Sequence, residues 1–208
     1  SRGFIKTGLG KRIAYNLISA FGSSSLRLAY ALALSDLILA PATPSNTARV
    51  GGVIMPITTS LAKAFGSEPQ DGPRKIGSFL MQSIYQVNTI TSAMFQTSMA
   101  GNTLVAALAL QSFGIGITWG DWAMAAIVPG IIALIIMPYF IYKVYPPEIK
   151  DAREAQQMIR EELKGLGKIS FQEWVMLGVF ILALVLWATS QFTKLDATTV
   201  AFLGISIL

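Results

Sequence analysis

The chain has neither cysteine nor histidine among its 208 residues. The first absence excludes disulfides and thiolate metal centres. The second excludes serine–histidine and cysteine–histidine catalysis and histidine proton relays. With no metal-ligand cluster or nucleophile–base pair in the sequence, an enzyme is not expected. Charge is scarce as well: only 13% of residues are Asp, Glu, Lys or Arg, against about a quarter in soluble domains. That charge is segregated, with none between Gly77 and Gly120, between Trp122 and Tyr142, or between Trp174 and Thr193. Hydrophobic residues, 53% of the chain, fill these tracts. An α-helix needs about 20 such residues to cross a ~30 Å hydrocarbon core. The net charge of +5 sits at the ends of the apolar runs, as positive-inside topology requires, and does not point to nucleic acid.

These patterns predict an all-α polytopic membrane protein with the lipid bilayer as its surroundings. Residues 1–16 carry Arg2, Lys6, Lys11 and Arg12 among apolar residues and read as a basic amphipathic segment on the membrane surface. Residues 22–62 are apolar, but the centre reads Pro41-Ala-Thr-Pro44-Ser-Asn-Thr47, which cannot continue an ordinary helix. Each flank is too short to span, so two half-helices forming a re-entrant hairpin are expected, with the tip at mid-depth. Residues 77–113 are too long for one straight crossing and include Thr97-Ser-Met-Ala-Gly-Asn-Thr103, which predicts a discontinuous helix broken near Ala100–Asn102. Transmembrane helices are expected at 122–142 and 174–193, with Trp119, Trp122, Tyr139 and Tyr142 as interfacial anchors. Residues 143–173 read as a cytoplasmic linker, helical over Glu148–Lys164, and 197–208 as the start of a further span. The cation-rich segments (the N-terminus, 63–75 and 143–173) should share the cytoplasmic side, with 113–121 and 189–196 outside. Ser1 is not a plausible start and Leu208 falls inside an apolar run, so a longer chain with a missing C-terminal half is expected.

The chemistry concentrates at the two breaks. Ser45, Asn46 and Thr47 stand where the second half-helix begins, and Ser and Asn are strong N-caps. A helix start also carries roughly half a positive charge. Exposed N–H groups, hydroxyls and an amide together would suit a carboxylate, although a plain structural cap uses the same residues. The second break offers Thr97, Ser98, Gly101, Asn102 and Thr103. Upstream, Gln82, Gln86, Thr89 and Gln96, with Asn88, Thr91 and Ser92, form a polar face suited either to interhelical hydrogen bonds or to substrate. Arg49 and Asp36 are intramembrane charges. They would either pair to brace the hairpin, or Arg49 would add positive charge beside a bound carboxylate.

The stretch Tyr30-Ala-Leu-Ala-Leu-Ser-Asp-Leu-Ile-Leu-Ala-Pro-Ala-Thr-Pro-Ser-Asn-Thr-Ala-Arg-Val-Gly-Gly52 resembles the first hairpin of the divalent anion/sodium symporter superfamily. Lys75–Met81, Ser92–Phe95 and Tyr145–Lys150 are similar to the branch of citrate carriers and 2-oxoglutarate/malate translocators. The resemblance implies an elevator-type transporter of two inverted repeats, this chain being the N-terminal one, assembled as a homodimer. It implies secondary transport of C4–C6 di- or tricarboxylates in a bacterial inner membrane or plastid inner envelope. Ser45, Asn46 and Thr47 match the first substrate motif, and Ser98–Asn102 the unwound loop near the cation site of sodium-coupled members. The substrate-binding set is thus Ser45, Asn46, Thr47, Ser98, Gly101, Asn102, Thr103 and Arg49. No cofactor or fixed metal is implied; sodium coupling would use Ser45, Asn46 and Ser98. Pro41 replaces a hydroxyl residue of the sodium-coupled members and Arg49 is not typical of them, which implies antiport. A sodium-coupled symporter or an anion channel is the alternative.

Overall fold

The computed structural model describes residues 2–193 and 195–207. Ser1, the turn cation Lys194 and Leu208 lie outside the described residues. Helices account for the architecture, and the β-pairing among the described residues is one isolated bridge between Ser24 and Asp151.

Two helices open the chain, α1 (Arg2–Thr7) and α2 (Leu9–Phe21), redirected at Gly8, whose φ of 80° suits glycine. Lys6 and Lys11 are exposed, but α2 is no simple surface helix. Leu9, Ala14, Tyr15 and Ile18 are buried, and Phe4 meets Phe180 edge-to-face at 5.4 Å. Arg12 donates to both carboxylate oxygens of Glu173 and to the carbonyls of Leu166, Gly167 and Lys168.

Helix α3 (Ser25–Leu39) is mostly apolar and buried on most sides, with Arg27 exposed near its start and Asp36 buried near its end. It ends before Pro41. The chain resumes as α4 (Asn46–Arg49), passes through a π-helical turn at Val50–Ile54, and continues as α5 (Met55–Ala64). Pro56 has no N–H to offer the carbonyl one α-turn back, and Met55 N instead reaches Val50 O.

Helix α6 (Gly77–Met94) leads to a 3₁₀ turn at Gln96–Ser98 and then α7 (Ala100–Phe113). The interruption lies earlier than the sequence pattern predicts. Phe95 and Met99 are extended, while Gly101, Asn102 and Thr103 already belong to the first turn of α7.

Helix α8 spans Trp119–Val144, starting at a capping box of Thr118 and Asp121, three residues before the predicted span. Helix α9 covers Arg153–Gly165 only. The predicted helix from Glu148 fails because the backbone of residues 148–152 bonds to other segments, with Glu148 N on Arg74 O, Ile149 N on Lys75 O and Ala152 N on Ser23 O. Helix α10 runs Phe171–Ala188 from a Ser170–Glu173 capping box, followed by short α11 (Ser190–Thr193) and α12 (Ala197–Ile207). At 1.5 Å per residue α8 is about 39 Å long and α10 about 27 Å, and both are apolar enough to cross a bilayer.

The core forms where α3, α5 and α6 meet, around Leu28, Leu32, Leu61, Phe79 and Leu80. The backbone hydrogen bonds of residues 148–152 tie that segment, the α2–α3 turn and the 63–75 loop into one end of the bundle. At another contact Trp119 stacks on Trp187, and Trp187 Nε1 donates to Ala197 O, joining the starts of α8 and α12. Trp119 is therefore buried packing, not an interfacial anchor.

Candidate functional site: two helix breaks joined by a buried ion pair

The first break is shaped by Pro41 and Pro44, neither of which can supply a backbone donor. Ser45 is extended, and its Oγ accepts from Ala48 N at 3.2 Å, capping α4. Asn46 Oδ1 accepts from Thr47 N at 2.9 Å. Its Nδ2 meets no acceptor among the described residues. Ser45 and Asn46 are half-buried and Thr47 exposed, so the tip presents hydroxyls and an amide without a full charge.

The second break is held by side chains remote in sequence. Asn102 Nδ2 donates to Ser92 O (2.7 Å), a carbonyl that the end of α6 leaves open, and to Phe95 O (2.9 Å), which also accepts from Ser98 N. Thr97 Oγ1 donates to Pro41 O and accepts from Trp119 Nε1, linking the second break to the first. Helix α7 starts without a side-chain cap. Ser98 Oγ just before it is fully buried and meets no partner among the described residues.

Arg49 joins the two breaks. Its guanidinium is buried, with 1% of the residue exposed. Nε donates to Asp36 Oδ1 at 2.8 Å, and Nη1 to Thr43 O and Ser98 O at 3.3 and 3.4 Å. Nη2 donates to Thr91 Oγ1 and Ser92 Oγ at 3.2 and 3.1 Å. All five guanidinium N–H bonds are thereby taken. Asp36 Oδ2 accepts from Thr91 Oγ1 and Asn88 Nδ2. Of the two roles open to Arg49, this geometry matches the brace. It leaves no donor for a carboxylate.

The predicted site residues therefore separate. Ser45, Asn46 and Thr47 form the tip, and Ser98 lies behind it through Arg49. Asn102 is spent on the α6 terminus. Gly101 is helical, not unwound. Thr103 Oγ1 bonds Ala100 O of its own helix and lines a separate cavity with Gln96 and Trp119. The Thr97–Pro41 and Thr97–Trp119 links were not foreseeable from local pattern; the only signal was a hydroxyl residue next to a helix break.

Fold and site together define a helical membrane protein with two interrupted helices, one break buried and the other presenting an open tip. The chain belongs to the family described as the sodium:sulfate symporter transmembrane region, which matches residues 1–208. This is a family of membrane transporters, not of enzymes. A Bacillus subtilis protein named "Putative malate transporter YflS" is 53% identical over all of this chain and 44% of its own length. The Escherichia coli "Inner membrane protein YbhI" is 49% identical over 97% of the chain and 42% of its own length. The spinach "Dicarboxylate transporter 1, chloroplastic" is 46% identical over the whole chain and 37% of its own length. The chain thus spans about two fifths of these relatives.

Proposed function

We propose that the chain forms one half of a carrier that exchanges small di- and tricarboxylates, C4–C6 anions such as malate, succinate, 2-oxoglutarate, citrate or tartrate. The names of the malate and dicarboxylate transporter relatives support the substrate class. The observation that carries the reading is the tip: a Ser45-capped helix start beside the unpartnered Nδ2 of Asn46, at a break braced from behind. Ser45, Asn46 and Thr47 bind one carboxylate through hydroxyl, amide and backbone N–H donors, aided by the helix dipole. Ser98 completes the wall behind the tip. Arg49 holds both breaks in place and does not touch substrate, which revises its expected place in the binding set.

In this reading residues 22–62 form a re-entrant hairpin and 77–113 a discontinuous crossing. An inverted second repeat completes the site, two copies form a homodimer, and an elevator motion alternates access. The membrane is a bacterial inner membrane or a plastid inner envelope. Coupling is by antiport, because Pro41 stands where sodium-coupled relatives place a hydroxyl. The family description favours sodium symport as the second reading, with Ser45, Asn46 and Ser98 near the ion.

The test is malate exchange by the full-length protein in liposomes. Asn46→Ala should abolish exchange with folding intact, and exchange should persist with choline in place of sodium. Near-wild-type exchange by Asn46→Ala would sink the site. Uptake that needs sodium but no internal acid would replace antiport with symport.

A further inference from the structure

Helix α6 carries a line of polar side chains that the brace largely leaves unused. Ser78, Gln82, Tyr85, Thr89 and Ser92 recur at spacings of four, three, four and three, so they share one face. Fourteen residues of rise make this line about 21 Å long. It starts at the basic end of the bundle, beside Arg74 and Lys75, and ends at Ser92, where Arg49 closes the site. Gln82 and Thr89 are exposed, as is Tyr85, with 67% of its surface free. Among the described residues Gln82 and Tyr85 make no side-chain hydrogen bond, and Thr89 bonds only the Tyr85 carbonyl of its own helix.

Hydrocarbon cannot satisfy an amide or a hydroxyl, so this face of a membrane helix must meet water or protein. Two cavities favour water. One of about 490 Å³ separates α6 from the second half-helix at Val50 and Met55, and reaches Asn88. Another of about 460 Å³ separates α6 from α8 at Phe140 and Val144. Ser78 and Gln82 line both, so the cavities share a polar floor between apolar walls. A floor of uncharged donors lets an anion enter and leave without trapping it. Arg74, stacked on the Tyr145 ring that lines the second cavity, places a cation at its mouth to attract dianions.

We infer that the Ser78–Gln82–Tyr85–Thr89 line is the aqueous path by which carboxylates travel between the basic end of the bundle and the Ser45–Thr47 tip, an inference that rests on the carrier reading above. Protein covering the line would leave these side chains dry, and the test separates the two.

Single cysteines replace Gln82, Tyr85 or Thr89 in the full-length protein, with Ile132→Cys on the exposed apolar side of α8 as control. The 208 residues contribute no thiol of their own, and any elsewhere in the chain are changed to serine. A membrane-impermeant methanethiosulfonate is applied to the side of the basic loops. Because only the thiolate reacts, thiols on a wet path should label about tenfold or more faster than one in lipid. Malate should slow that labelling, and modification should block malate exchange while leaving Ile132→Cys active. Should Tyr85→Cys yield too little protein, Gln82 and Thr89 carry the test, since neither bonds to another helix. Labelling as slow as at Ile132→Cys, or labelling that malate does not slow, in a protein that exchanges malate overturns the path alone. A wild type that exchanges no carboxylate overturns the carrier reading beneath it.

Discussion

Replacing Arg49 with methionine should destabilise the protein severely, and replacing Asp36 with leucine as well should restore much of the loss. The pair is almost wholly buried, with side-chain exposures of 0% and 2%. Removing the cation leaves Asp36 with only Thr91 and Asn88 as donors, inside a medium that penalises an unpaired charge. Breaking a buried pair from one side costs about 3–5 kcal/mol. At about 1 °C per kcal/mol for a full-length protein more than twice as long as this chain, Arg49→Met should melt roughly 3–5 °C lower. Replacing both partners with apolar side chains removes the stranded charge and is often close to neutral. Recovery stays partial here, because Thr43 O and Ser98 O still lose their donors. The coupling energy from the four-way cycle should be about 2 kcal/mol or more. The assay is thermal unfolding of the detergent-purified full-length protein, with malate exchange measured in parallel. Losses that simply add in the double mutant would refute the brace. So would an Arg49→Met protein that melts like wild type yet exchanges nothing, because the guanidinium would then be a substrate ligand.

Asn102→Ala should cost about 1–3 kcal/mol in the same melting assay, since it strips Ser92 O of its donor and leaves Phe95 O with Ser98 N alone; an unchanged melting curve would mean that another group satisfies Ser92 O. Glu173→Gln should loosen Arg12, which also caps the end of α9, and hydrogen exchange should rise first across residues 164–170; uniform protection would show that the carbonyl contacts suffice. Gly22→Ala should destabilise, because an added Cβ would lie 2.6 Å from the backbone oxygen of Ile18, which cannot swing aside; wild-type stability would contradict that geometry. Cysteines at the exposed Asp71 and Glu161 should label from one side of the membrane and at Gly116 from the other; same-side labelling would rule out a crossing by 77–113.

The class of fold was legible because uncharged runs of this length have few alternatives to a membrane helix. The end of α3 was legible for a local reason: two prolines remove donors wherever they stand. The second break was placed several residues late because Gly101 looked like the weak point. What opens the backbone is tertiary: Asn102 reaching back to Ser92 and Phe95, and Thr97 reaching across to Pro41. Phe95 and Met99 carry no mark of this in the sequence. Asp36 and Arg49 could be seen as intramembrane charges, but pairing and substrate contact fit the sequence equally well. Only the count of occupied guanidinium N–H groups distinguishes them. Arg12 looked like one of several interfacial cations because its partner, Glu173, is remote in sequence.

The π-helical turn at Val50–Ile54 adds one residue to the helix between the tip and its anchoring face. Each residue of an α-helix turns the chain by about 100°. The side of α4 that carries Asn46 keeps its phase against Ile57 and Leu61 because the wider turn absorbs the extra residue, while Arg49 anchors the same helix to Asp36 and Ser98. Deleting Gly51, which has no neighbour within 4 Å of a Cβ position, would remove no packing there and would let the wide turn close to an ordinary α turn with the same phase. A single-residue deletion in this stretch should therefore spare the aim of the site, whereas one in α5, which has no wide turn to absorb it, should rotate the tip by about 100°.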